Sequence, residues 1–173
     1  MNRNNTRHWR LLIVGILMVA TFLARKTFAQ GTPALPQEIQ ERGFWVDLST
    51  GLVWAAKDNG KDVTWGNSMK YCRDLSLAGY SDWKLPSIDE LESIYDESGF
   101  TAPHAKDSLP VLAGRAKGAL LLTGAREWSS TPVLDDRGHR SGYAWQYDFP
   151  HGGRWKDPLG YKGSLRALCV RHP

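Results

Sequence analysis

The fourteen residues AGYSDWKLPSIDEL, Ala78 to Leu91, decide how this chain folds. Gly79, Ser81 and Asp82 favour a turn, each for a different backbone reason. Pro86 then disfavours helix at Leu85 and sets an extended approach. Ser87 stands where an N-cap belongs and Glu90 follows three residues later, so Ser87-Ile88-Asp89-Glu90 reads as a capping box. Ile88, Leu91, Ile94 and Tyr95 recur at helical spacing and give one apolar face. Gly99 is placed to stop that helix. The stretch therefore joins two helices through a compact turn.

Upstream, Thr64 is positioned to cap the first of these helices. Trp65, Met69, Cys72 and Leu75 mark one face of it, which points Cys72 inward. Before it, Phe44 to Leu48 reads as a strand, Ser49-Thr50-Gly51 as its turn, and Leu52-Val53-Trp54 as the return strand of a hairpin. Asp58-Asn59-Gly60 is a further turn. Gln30 to Arg42, with Pro33 and Pro36 and no periodicity, reads as a flexible lead.

Downstream, Phe100 to Gly124 reads as a long loop that carries the short apolar element Ala119–Leu122. The rest is β-structure: Glu127–Thr131, Tyr143–Phe149, Gly153–Trp155 and Leu165–Val170. Tyr143, Trp145, Tyr147 and Phe149 alternate strictly with Ala144, Gln146 and Asp148, which predicts a strand with its aromatic face in the core. Pro150 to Gly153 turns the chain back. In the last strand Leu165, Ala167 and Cys169 share a face, toward the helix that carries Cys72.

The N-terminus is an address. Arg3, Arg7 and Arg10 form a positive region, Leu11 to Ala24 is apolar apart from Thr21, and Thr27-Phe28-Ala29 offers small residues where a signal peptidase reads. The apolar run is shorter than the roughly 20 residues of a membrane-spanning helix. Residues 1–29 are thus expected to be a signal peptide cut after Ala29, with an uncleaved anchor as the alternative because Arg25 and Lys26 precede the cut. The product is periplasmic or secreted, with no stable membrane insertion after cleavage.

That cut changes the electrostatics. The full chain has 22 basic and 18 acidic residues and a formal charge of +4. Five of the basic residues precede Gln30, so the mature chain has 17 against 18 and a net charge of −1. Its basic pI carries no argument for nucleic acid. Residues 115–173 still hold 10 basic and 5 acidic residues, a half able to meet an anionic partner. The mature length suits one domain with a real core. Eight tryptophans are a heavy load of residues that pack well yet want a partner for the indole N–H. The two cysteines, Cys72 and Cys169, are in an exported chain most simply a disulfide.

Several blocks fall in one order: Thr50-Gly51-Leu52-Val53-Trp54, Thr64-Trp65 with Tyr71-Cys72, Gly79-Tyr80-Ser81-Asp82-Trp83-Lys84-Leu85-Pro86, Trp128-Ser129-Ser130, Ala144-Trp145 with Asp148-Phe149, and Ala167 to Arg171. This order resembles the family named for the C-terminal domain of the Legionella collagen-like adhesin, from about Gly43 to Arg171. The resemblance implies an α+β domain over residues 43–172, a branch of the C-type lectin-like fold. That fold has two helices, a mixed and mainly antiparallel sheet, and terminal strands that meet. It also implies that Cys72, on the first helix, pairs with Cys169 on the last strand. The adhesin binds sulfated polysaccharides through a protein that also carries a collagen-like stalk; this chain has no Gly-X-Y repeat.

No catalytic or metal-binding set and no cofactor is expected. The Glu-Pro-Asn, Gln-Pro-Asp and Trp-Asn-Asp motifs of calcium-dependent lectins are absent, and Asp135, Asp136 and Asp157 are too few for calcium, which takes six to eight oxygens. Formylglycine-generating enzymes, which use a related fold, need reactive thiols, and a paired Cys72 and Cys169 leave none. The histidines are scattered, with no nucleophile to serve. The expected function is non-catalytic recognition of a glycan or sulfated polysaccharide, with a structural domain binding an envelope protein as the alternative. The long connections of the β-rich half hold the candidate ligand residues Arg137, His139, Arg140, Arg154 and Lys156, with the indole of Trp155 and the ring of Tyr161 beside them. Guanidinium forks pair with sulfate or carboxylate in two-point geometry.

Overall fold

A computed structural model describes residues 37–98 and 115–173, all within one unit, Gly31–Pro173. In order the elements are helix α1 (Gln37–Arg42), strands β1 (Phe44–Val46) and β2 (Val53–Ala55), helices α2 (Trp65–Asp74) and α3 (Ile88–Ser93), and a 3-10 turn at Lys117–Ala119. Strands β3 (Arg126–Leu134), β4 (Arg140–Asp148), β5 (Gly153–Pro158), β6 (Leu165–Arg166) and β7 (Val170–Arg171) follow. The fold is α+β. One antiparallel sheet runs β1-β2-β7, so strands from the two ends of the domain meet; the other runs β5-β4-β3-β6, with β3 and β6 parallel.

The Ala78–Leu91 stretch clips these sheets together. Leu77 and Tyr80 exchange backbone hydrogen bonds of 3.0 Å around Ala78 and Gly79, both at positive φ, the geometry of a two-residue hairpin turn. Lys84 exchanges two bonds of 2.8 Å with Val170 of β7, and the Pro86 carbonyl accepts from Ser130 N in β3 at 2.7 Å. Trp83 and Leu85 point into the core between those attachments. The capping box forms as read: Ser87 Oγ accepts from Glu90 N, and the Glu90 carboxylate accepts from Ser87 N.

Residues alternate between two apolar clusters. Val53, Ala55, Cys72, Trp83, Trp128, Ala144, Leu165 and Cys169 belong to one, on the α2 side. Trp54, Ile88, Leu91, Ile94, Tyr147, Phe149 and Leu168 belong to the other, under α3. Cys72 and Cys169 are bonded, with Cα atoms 5.4 Å apart.

The structure departs from the sequence reading in several places. Gln37–Arg42 is helical, within a segment that shows no periodicity. The first strand stops at Val46 because Asp47 turns the chain: its carboxylate accepts from Ser49 N, Ser49 Oγ and Thr50 Oγ1, and Leu48 is left 92% exposed. Thr64 occupies the N-cap of α2 but makes no side-chain capping bond, and the buried pair on that helix is Ser68 and Cys72, with Met69 turned outward. α3 ends at Ser93 rather than Tyr95. The single last strand is two, because the chain leaves β3 at Arg166 and joins β2 at Val170. The aromatic face of β4 is core only at its C-terminal end, where Tyr147 and Phe149 are buried; Tyr143 emerges at 42% exposure, and Ala144 and Gln146 on the opposite face are buried as well. The expected signal peptide and residues 100–114 of the expected long loop lie outside the described residues.

Candidate functional site

The connection between the Trp128 and Tyr143 strands is not a long loop. β3 and β4 form a hairpin whose turn is tied by Asp135, which accepts from Arg137 N and His139 N at 2.9 Å. The candidate ligand residues are therefore mostly strand residues, and strand alternation divides them. Paired neighbours share a face of a sheet. Arg154 pairs with Tyr147 and Lys156 with Trp145, on the α3 side; Trp155 pairs with Gln146 and Asp157 with Ala144, on the α2 side.

Arg154 reaches α3, where it pairs with Asp89 at 2.7 Å and with Glu92. The Glu92 hydrogen bond outweighs the cost of burial and, with Asp89, holds the guanidinium proton more firmly than usual. Arg140 lies on the other side, its guanidinium 6.0 Å from the ring centroid of Trp65, which itself donates Nε1–H to Ser129 O. His139 is exposed and lies 3.7 Å from Asp135. Arg137, in the hairpin turn, and Lys156, on β5, are exposed. The six residues thus do not form one patch, and Arg140 and Arg154 belong to opposite faces.

What the fold brings together lies around Trp155. Its indole is 59% exposed on the α2-side face of β5, and Tyr161, in the loop that leaves β5, is 40% exposed. A polar network belongs to the same face. Gln146 Nε2 donates to Asp157 Oδ2 at 3.4 Å, and Arg126 Nη1 lies 3.8 Å from that oxygen. Arg126 Nη2 donates to Gly163 O at 3.1 Å, and the guanidinium lies 6.0 Å from the centroid of the Tyr161 ring. Gln146 is 1% exposed and its Oε1 has no hydrogen-bond partner among the described residues. Sequence reasoning missed Arg126 and Gln146. Arg126 opens β3 just before a run that reads as strand, and Gln146 looked like the solvent face of an amphipathic strand.

Two clefts, of about 300 Å³ and 410 Å³, flank Tyr71 on α2 and share it with Leu75. The smaller is lined by the apolar residues Ile39, Ala55, Ala56 and Leu77 and by Asp58.

Both cysteines are closed in the disulfide. His139, His151 and His172 each lie beside a carboxylate, those of Asp135, Asp148 and Glu90. No group of three or more metal-ligating side chains occurs among the described residues. Burial, with help from the charges of Glu92 and Tyr95, pushes the Tyr147 hydroxyl up to about 12, which suits a core phenol rather than a base. The Trp155 face carries exposed rings beside hydrogen-bonding groups.

No curated protein matches the chain. The family model for the Lcl C-terminal domain matches residues 43–171, from the glycine before β1 to the last residue of β7, and the chain belongs to that family.

Proposed function

We propose that this is a non-catalytic recognition domain of an exported protein, and that it binds a polysaccharide of the cell envelope or surface across the Trp155 face. One observation carries the reading: two exposed rings, Trp155 and Tyr161, border a network of Asp157, Arg126 and Gln146. A sugar presents an apolar ring face and a rim of hydroxyls. An indole covers the first, while carboxylate, amide and guanidinium groups serve the second. Membership of an adhesin-derived domain family fits recognition rather than turnover. Export rests on the leader in residues 1–29 and on two cysteines joined as a disulfide.

Sulfate or carboxylate groups on the ligand would meet Arg140 and Arg137 at the hairpin end of the α2 side, with His139 beside them. Arg154 is already neutralised by Asp89 and Glu92, and Lys156 belongs to the α3 side, so neither is expected to contribute much. Titration of the exported protein against a panel of neutral and sulfated polysaccharides tests the reading. Binding that is lost in Trp155→Ala supports it, and no binding to any polysaccharide removes it.

A second reading has its own observation. Among the described residues β5 is an edge strand with no neighbour on one side, and edges of this kind accept a strand from a partner. A structural domain that docks an envelope protein would use that edge, and co-purification of one envelope protein with the wild-type chain would favour it.

A further inference from the structure

Asp157 has two carboxylate oxygens, and only one of them is engaged. Oδ2 accepts from Gln146 Nε2 at 3.4 Å and faces Arg126 Nη1 at 3.8 Å, an ion pair beyond hydrogen-bonding distance. Oδ1 accepts no hydrogen bond among the described residues, and the side chain keeps 20% of its surface open. Gln146 is constrained by the same chemistry. A carboxylate accepts and never donates, so the amide turns Nε2 toward Asp157, and this leaves the buried Oε1 without a donor among the described residues. Two acceptors of the network thus lack donors, and Oδ1 of Asp157 is the one open to a ligand. Nearby cations do not make up the difference. Arg126 commits Nη2 to Gly163 O at 3.1 Å, and its guanidinium lies 6.0 Å from the Tyr161 centroid. Lys156 belongs to the opposite face, since it pairs with Trp145 while Asp157 pairs with Ala144.

We propose that Asp157 sets the specificity of the Trp155 face: the sugar unit that covers the indole offers a free hydroxyl to Oδ1, and a unit carrying sulfate or carboxylate at that position is rejected. The inference rests on the polysaccharide reading above and narrows its substrate class. Asp157 and Trp155 share a face two residues apart on β5, so their Cα atoms are about 7 Å apart, and one bound unit meets both side chains. A hydroxyl donates its hydrogen to Oδ1 and accepts from Arg126, so a single group joins the carboxylate to the guanidinium. Sulfate oxygens only accept. Against Oδ1 a sulfate forms no bond and sets two like charges together, which is how an interface turns away the wrong partner.

Anionic groups find their partners farther along the sheet. Trp155 pairs with Gln146, and Arg140 lies six residues before Gln146 on β4, so it stands about 20 Å from the unit at the indole. The ligand that suits both ends is a polymer with an unmodified unit at Trp155 and sulfate some way along the chain. A polymer sulfated on every unit satisfies Arg140 and offends Asp157.

The test is the affinity of the exported chain for dextran, pullulan and xylan, each unmodified and sulfated to graded degree, in wild type, D157N and W155A. Wild-type affinity should pass through a maximum at partial sulfation and fall for the fully sulfated members. D157N should bind the fully sulfated members about tenfold more tightly than wild type, because the like charge is gone, and the unmodified ones more weakly, because a neutral acceptor replaces a charged one. A merely structural role for Asp157 cannot move the two in opposite directions. Wild-type affinity that climbs steadily to full sulfation overturns the proposal, and that result needs no variant should D157N fail to fold. A D157N protein that shifts every member alike, or none, overturns it as well; if W155A has meanwhile lost binding, the recognition reading stands without this specificity. Binding of no member by the wild type removes both.

Discussion

The guanidinium of Arg171 lies 3.8 Å from the ring centroid of Tyr80, and its Nε donates to Asp82 at 2.6 Å. The last strand thereby holds the turn at Gly79 from outside, while Lys84 and Val170 hold the same stretch by backbone bonds. Tyr80 also meets Phe44 edge-on, with centroids 6.5 Å apart, so β1 joins this contact. Arg171→Met should lower the melting temperature through loss of the cation–π contact, worth about 0.5–1 kcal/mol. Arg171→Lys should recover only part of it, because an ammonium cannot lie flat on the ring while its side chain donates to Asp82. Thermal unfolding of the two variants beside the wild type checks the order; a Lys variant as stable as wild type would show that charge alone matters.

Ser87→Ala should cost about 1 kcal/mol, the usual loss when an N-cap acceptor is removed. Glu90→Ala should be at least as damaging, since Glu90 closes the box on Ser87 N and also pairs with His172 at 2.7 Å. Equal melting temperatures for Ser87→Ala and wild type would count against the cap.

This cap was legible because its chemistry is local: a hydroxyl, a carboxylate and a spacing of three residues. The Gly79 turn and the inward face of Cys169 were legible for the same reason. Burial on both faces of β4 was not, since alternation reports only the larger side chains, and Ala144 and Gln146 look like a solvent face although Ala144 belongs to the apolar cluster of Cys72 and Trp128 and Gln146 is buried beside Asp157. The end of the first strand depended on Asp47 folding back onto Ser49 and Thr50, where a turn was visible but not its first residue. At the candidate site, exposed Trp155 could be read from the chain. Partition of Arg140 and Arg154 between opposite faces required the register of β4 with β5, which no spacing along the sequence encodes.

Gly118 has φ +74°, and a Cβ there would lie 2.1 Å from the indole of Trp45. Gly118→Ala combines left-handed backbone strain of about 1–2 kcal/mol with overpacking of about 1–3 kcal/mol. Gly51→Ala is the control. Gly51 has a similar φ of +74° but nothing within 4 Å of its Cβ, so only the backbone cost should appear. Denaturant melts of the two variants should differ clearly. If they agree, the Lys117–Ala119 turn does not press on β1.

Cys72 and Cys169 are separated by 97 residues in sequence, and thiol titration of the native exported protein should find no free thiol. Replacing both with serine should cost up to about 4–5 kcal/mol in the chain-entropy model. The double variant is preferable to either single one, which would leave a buried free thiol. Two titratable thiols in the native wild type would contradict the pairing.

The last prediction separates the two faces of β5. Trp155→Ala should weaken polysaccharide binding while leaving thermal stability within about 0.5 kcal/mol, since an exposed side chain contributes little to the core. Arg140→Ala should weaken binding only to sulfated ligands, and the wild-type affinity for those ligands should fall as salt rises, because exposed charges are screened beyond about 10 Å at 0.1 M. Arg154→Ala should leave affinity nearly intact and instead loosen the contact between β5 and α3, with a small cost of under about 1 kcal/mol for so exposed an ion pair. Isothermal titration with one neutral and one sulfated polysaccharide, run beside thermal melts, reads all three. An Arg154 variant that loses binding as completely as the Trp155 variant would move the ligand to the α3 side. Affinity unchanged in the Trp155 variant would remove this face from consideration.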